Sequence, residues 1–126
     1  MSTSKNILIV EDEMMIALHI EDTLTQLGHH VVTAITTAQA EEVIARDNIE
    51  LALVDYKLTD GDSEALMGRL QAAGIPFVVC SGISDESQRG SVSRQAPFLS
   101  KPFTSDALID AVSALTGIRK SNSDLN

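Results

Sequence analysis

The sequence predicts a single α/β domain in which five parallel strands alternate with five helices packed on both faces of a doubly wound sheet. Three observations predict it. Unbroken apolar runs such as Ile7-Leu8-Ile9-Val10 are strand-sized and lack polar alternation, which suits strands covered on both faces. Between the runs, apolar residues recur at helical spacing. The two kinds of segment alternate along the chain, and right-handed crossovers then give a parallel sheet.

The first strand is expected over residues 6–10, and the first helix over 13–27, with Ile16, Ala17, Ile20, Leu24 and Leu27 on its inner face and Gly28 as its stop. Residues 31–35 read as a short second strand and 37–47 as a helix with Ala40, Val43 and Ile44 inward. Residues 51–54 form a third, buried strand. A helix carrying Leu66 and Leu70 follows, started by Asp62 or Ser63 and stopped at Gly74. Residues 75–80 give the fourth strand and 97–100 the fifth. The segment 84–94 is a short, soft helix, because its serines and Gly90 are poor helix formers and Val92 is its only sizeable aliphatic residue. The last helix spans 104–116, with Leu108, Ala111, Val112 and Leu115 inward and Gly117 as its stop. We place the domain at residues 1–119 and a frayed polar tail at 120–126.

At 126 residues the chain holds one core. Its 18 acidic against 9 basic residues give a net charge of −9, which argues against direct binding to nucleic acid or anionic lipid. No apolar run is long enough to span a bilayer and the N-terminus is polar, so we expect no membrane insertion and a cytoplasmic location. A single cysteine, Cys80, excludes an internal disulfide and reads as a core thiol. His19, His29 and His30 lack metal-ligand spacing and are assigned to the surface, and no glycine-rich phosphate loop occurs.

Ligands of such sheets bind beyond the carboxyl ends of the strands. Glu11 and Asp12 follow the first apolar run, Asp55 the third, Ser81 the fourth and Lys101 the fifth, so all five converge on one edge. Singly, each has a plain alternative: the acidic pair can favour a helix N-terminus, Asp55 or Ser81 can serve a turn, and a lysine can simply be solvated. Together, three carboxylates repel and call for a cation. An all-oxygen set suits a hard ion such as Mg²⁺, which is commonly shared with a phosphate. Asp55 then fits as a nucleophile forming an acyl phosphate, with Lys101 and Ser81 neutralising and hydrogen-bonding the transferring oxygens. Pro102 restricts the backbone where Lys101 is aimed, and that peptide can be cis.

The ordered set Glu11-Asp12, Asp55-Tyr-Lys-Leu-Thr-Asp-Gly61, Ser81-Gly82 and Lys101-Pro102 resembles the receiver domain of bacterial two-component response regulators over about residues 5–119. The resemblance implies the CheY-like, flavodoxin-like fold with strand order 2-1-3-4-5. It also implies Asp55 as phosphoacceptor, Glu11, Asp12 and Asp55 as Mg²⁺ ligands with the Lys57 backbone carbonyl, Ser81 as switch hydroxyl, Lys101 as phosphate contact and Phe98 as switch aromatic. Serine in place of the commoner threonine, a Ser-rich segment before Phe98, and Phe in place of Tyr depart from the family in the coupling rather than in the phosphoryl chemistry. The run Pro76-Phe-Val-Val-Cys-Ser-Gly is similar to a subgroup of stand-alone receivers.

The expected function is therefore that of a single-domain receiver, not an enzyme acting on free substrate. It takes phosphate from a histidine kinase or histidine phosphotransfer protein and switches the binding of a downstream protein. A phosphorelay intermediate or phosphate sink is the alternative, distinguished by rapid onward transfer. A phosphomonoester hydrolase would want a second acid two residues after its nucleophile, where this chain has Lys57. Met14, Met15 and Leu18, roughly opposite the core face of the first helix, read as a docking surface for the phosphodonor, or as isolated exposed residues.

Overall fold

The computed structural model describes residues 4–82 and 90–116. The elements are β1 (Asn6–Val10), α1 (Met14–Gln26), β2 (His30–Ala34), α2 (Thr37–Arg46), β3 (Leu51–Asp55), β4 (Lys57–Leu58), β5 (Gly61–Asp62), α3 (Glu64–Ala72), β6 (Phe77–Ser81), α4 (Ser91–Gln95), β7 (Phe98–Ser100) and α5 (Ser105–Thr116). The main sheet runs β2-β1-β3-β6-β7 with every pair parallel. Counting its own strands alone, this is the expected order 2-1-3-4-5.

Successive strand residues point to opposite faces, so a strand covered twice must be apolar throughout. Leu8, Val10, Ala52, Val54 and Val79 pack with Ala40, Val43, Leu66, Met67 and Leu70 of α2 and α3 on one face. Ile7, Ile9, Leu51, Leu53, Val78 and Cys80 pack with Ile20 and Leu24 of α1 and Leu108 and Val112 of α5 on the other. Cys80 is the buried thiol expected, its pKa pushed up to about 12 by burial. Tyr56, 2% exposed, lies in the core on the α2–α3 face.

Several local expectations are corrected. Leu27, expected inward, is 46% exposed, because α1 stops at Gln26 and the chain turns at Gly28 with φ of 93°. β2 begins at His30 and ends at Ala34 rather than Ile35, whose N–H instead donates to Gln39 Oε1 at 2.9 Å. His19 and His29 are half-buried rather than on the open surface. His29 Nδ1 accepts from the Lys5 N–H at 3.0 Å, and burial followed by the charge of Lys5 lowers its pKa. The antiparallel β4–β5 hairpin was not expected; its strands are too short to show a period, and Gly61, at φ 128°, takes the chain out of the Thr59–Asp60 turn into β5.

The start of α3 also differs from a simple cap. Ser63 precedes the helix, yet its hydroxyl donates to the Asp55 carbonyl at 2.6 Å, while Asp62 Oδ1 receives the Glu64 N–H at 3.1 Å. Of the soft helix expected at 84–94, the described part is α4, and residues 83–89 lie outside the described residues, as do Gly117 and the tail. This five-residue helix, in which Ser91, Val92 and Ser93 have low helix propensity, is held from outside. Glu64 Oε2 receives the Gly90 N–H at 2.7 Å and the Ser93 hydroxyl at 2.6 Å. Burial raises the Glu64 pKa, but these bonds and the Ser93 and Val92 N–H groups outweigh it and hold the carboxyl below its usual range.

Replacing Glu64 with Ala removes the acceptor of these bonds, so amide exchange over residues 90–96 should accelerate while β1 and β3 stay protected. Urea melts should show a loss of about 1 kcal/mol. Unchanged exchange in α4 would show that its packing alone suffices.

Candidate functional site: an acidic edge with one lysine

The site lies at the carboxyl ends of the main strands, where the ladder continues just past each apolar run. The Glu11 N–H donates to Ala34 O at 3.0 Å, that of Tyr56 to Cys80 O at 2.9 Å, and that of Lys101 to Ser81 O at 2.9 Å. These bonds fix the backbone beneath each polar side chain. The Lys101–Pro102 peptide is cis.

Lys101 Nζ lies 3.0 Å from Glu11 Oε1 and 3.1 Å from Asp55 Oδ1, drawing together residues after β1, in β3 and after β7. Glu11 and Asp55 are only 2% and 6% exposed. Glu11 Oε1 is buried and compensated by the Lys101 ammonium 3.0 Å away, while Oε2 receives the Glu13 N–H at 3.0 Å. Asp12 is exposed, and its Oδ2 accepts from Thr59 Oγ1 at 2.7 Å. One carboxylate oxygen from each of Glu11, Asp12 and Asp55 lies within 4.8 Å of the others.

Electrostatics follow from burial. Desolvation and the charge of Glu11, with a smaller contribution from Asp12, push the Asp55 carboxyl up to about 7 against the opposing pull of Lys101. Burial would lower the Lys101 ammonium, but hydrogen bonding to Glu11 and the charges of Asp55 and Glu11 raise it instead. Three carboxylates with one ammonium leave a net negative charge when all are ionised. Their all-oxygen donor set fits a hard divalent cation and, among the described residues, is the only His/Cys/Asp/Glu group placed to hold one.

Ser81 is fully buried, its hydroxyl donating to Gly82 O at 3.2 Å, and it stands one residue past Cys80, the register partner of Asp55. Lys57 lies in β4 with an exposed side chain. Phe98 opens β7 and is 37% exposed. Two contributors escaped the sequence reading. Thr59 stands in a hairpin with no periodic signal. His19 shares a 2.9 Å hydrogen bond with Ser105 Oγ and stacks on Phe103 with ring centroids 5.8 Å apart, bracing the turn that follows Lys101. That contact spans α1 to α5, and sequence spacing carries no trace of it.

The family model for the response regulator receiver domain matches residues 7–113. Among solved structures, SdrG from Sphingomonas melonis Fr1 is 41% identical with a TM-score of 0.79, covering 91% of this chain and 98% of that one. The PhyR receiver domain from Erythrobacter litoralis is 29% identical with a TM-score of 0.78, covering 97% of each. Among curated proteins, the response regulator FleR of Pseudomonas aeruginosa is 29% identical over 110 residues, 84% of this chain but 23% of FleR. This chain thus spans about a quarter or less of the curated relatives it first matches. No described helix is long and apolar enough to cross a membrane. With the fold, the acidic edge and a family match over most of its length in agreement, the chain belongs to the response regulator receiver domains of two-component systems.

Proposed function

We propose that the chain acts as a phosphorylation switch that accepts a phosphoryl group on Asp55 from the phosphohistidine of a histidine kinase or phosphotransfer protein. The observation that carries this reading is a recessed carboxylate at a strand end with an ammonium 3.1 Å away and two further carboxylates beside it. An Asp55 oxygen attacks phosphorus, the phosphorus–nitrogen bond of the donor breaks, and the imidazole leaves with that electron pair. Lys101 neutralises charge on a transferring oxygen, and the Ser81 hydroxyl turns from Gly82 to donate to another. Glu11, Asp12, Asp55 and the Lys57 carbonyl would hold Mg²⁺, which supplies charge neutralisation on the phosphoryl oxygens.

The switch would run through residues 82–98. Movement of Ser81 pulls the chain beside it and makes room for Phe98 to turn inward, altering the surface of α4, β7 and α5 that a downstream protein reads. Met14, Met15 and Leu18 of α1, 69%, 78% and 50% exposed, form an apolar patch suited to docking the phosphodonor.

Acetyl phosphate with Mg²⁺ should add one phosphoryl group, seen by intact-mass spectrometry and absent from Asp55→Asn; equal labelling of that variant would displace Asp55 from the role. Met15→Lys with Leu18→Lys should slow transfer from a kinase while leaving transfer from acetyl phosphate unchanged, whereas equal slowing of both would indicate a damaged fold. A third expectation concerns pH. Because the folded state holds the Asp55 proton more tightly than the unfolded chain, this group lowers metal-free stability as pH rises from about 4 to about 7, and ionised Asp55 is the form that binds cation. In metal-free urea melts at pH 8, Asp55→Asn should be more stable than the parent by about 1–3 kcal/mol, the gap closing towards pH 4. In the parent chain, calorimetry should show Mg²⁺ affinity rising through pH 7.

A further inference from the structure

The three carboxylates of the acidic edge are held by different means. Glu11 and Asp55 are buried and paired with Lys101, whereas Asp12 is exposed and has no ion pair among the described residues. An exposed aspartate samples several rotamers, and a small cation that demands near-octahedral geometry pays for every ligand it must first immobilise. What orients Asp12 is the Thr59 hydroxyl, donating to Oδ2 at 2.7 Å from the turn between β4 and β5.

That turn is itself anchored. The neighbouring Asp60 carboxylate receives the Thr37 hydroxyl at 2.7 Å and the Thr37 and Ala38 N–H groups at the start of α2, bonds that lower its pKa, the Thr37 hydroxyl foremost. Pairing of Lys57 with Asp62 and of Leu58 with Gly61 closes the hairpin on either side. Thr59 is thus a donor on a braced support, directed at the one loosely held carboxylate of the cluster. Its bond engages one oxygen of Asp12 and leaves the other for a cation.

We infer that Thr59 is a positioning residue for the cation site, fixing Asp12 through its hydroxyl and thereby setting Mg²⁺ affinity. The inference rests on the reading of Glu11, Asp12 and Asp55 as metal ligands. Outer-shell partners of metal ligands typically contribute tenfold or more to affinity. Valine keeps the β-branched shape at this exposed position and removes only the donor, while serine keeps the donor and removes the methyl group.

Isothermal titration of metal-free protein with MgCl₂, alongside metal-free thermal melts, tests this in the parent chain, Thr59→Val, Thr59→Ser and Asp12→Asn. Thr59→Val should raise the Mg²⁺ Kd by about tenfold with an unchanged metal-free melting temperature, and Thr59→Ser should bind as the parent does. A parental or tighter Kd for Thr59→Val overturns the inference, since the hydroxyl would then be idle or in competition with the cation. Equal losses in the valine and serine variants overturn it in favour of a packing role. Mg²⁺ binding undiminished by Asp12→Asn overturns the metal reading itself and this inference with it, a result separate from one in which Asp12→Asn fails and Thr59→Val does not.

Discussion

Lys101 Nζ, within 3.1 Å of both Glu11 and Asp55, compensates two carboxylates that the packing of β1 and β3 leaves almost without solvent. Buried unpaired, each would cost several kcal/mol or take up a proton. The compensation is incomplete, because desolvation and mutual repulsion still leave Asp55 raised to about 7. The site is thus folded in a state short of positive charge, which a bound divalent cation would supply as a second lysine would have done permanently. A fully neutralised edge would be more stable and would have less to gain from a cation.

The segment from Asp55 to Glu64 packs Tyr56 and Leu58 into the core and links this edge to the rest of the domain through polar bonds as well. Ser63 returns to the Asp55 carbonyl, Thr59 reaches Asp12, Asp60 caps α2 and Glu64 holds α4. A displacement at the Asp55 backbone therefore reaches Ser63 directly, and Glu64, the next residue, carries the bonds to Gly90 and Ser93. This is a short covalent and hydrogen-bonded route from the acidic edge to α4. It lies apart from the route proposed through Ser81.

The architecture was legible because a strand buried on both faces has no choice of residue type: Ile7–Val10 and Leu51–Val54 read as strands from the sequence alone. The acidic edge was legible because the residues that form it sit directly after those runs, where topology alone brings them together. What escaped left no local signal or a misleading one. Leu27 was misplaced because periodicity continues one residue past the end of the helix, and the β4–β5 hairpin was missed because two-residue strands have no period. Glu64 and α4, Thr59 and Asp12, and His19 and Phe103 are tertiary partners between 26 and 84 residues apart. Their residue types are ordinary on a surface, so nothing local marks them.

The burial of Tyr56 has a practical consequence. The chain has one tyrosine and no tryptophan, and that ring is 2% exposed immediately after Asp55. Near-ultraviolet emission excited through tyrosine therefore arises from a single, sheltered fluorophore bonded to the peptide at the centre of the acidic edge. The unlabelled protein carries its own optical probe, and a spectral change on adding cation or phosphodonor is assigned to one residue without any engineered reporter.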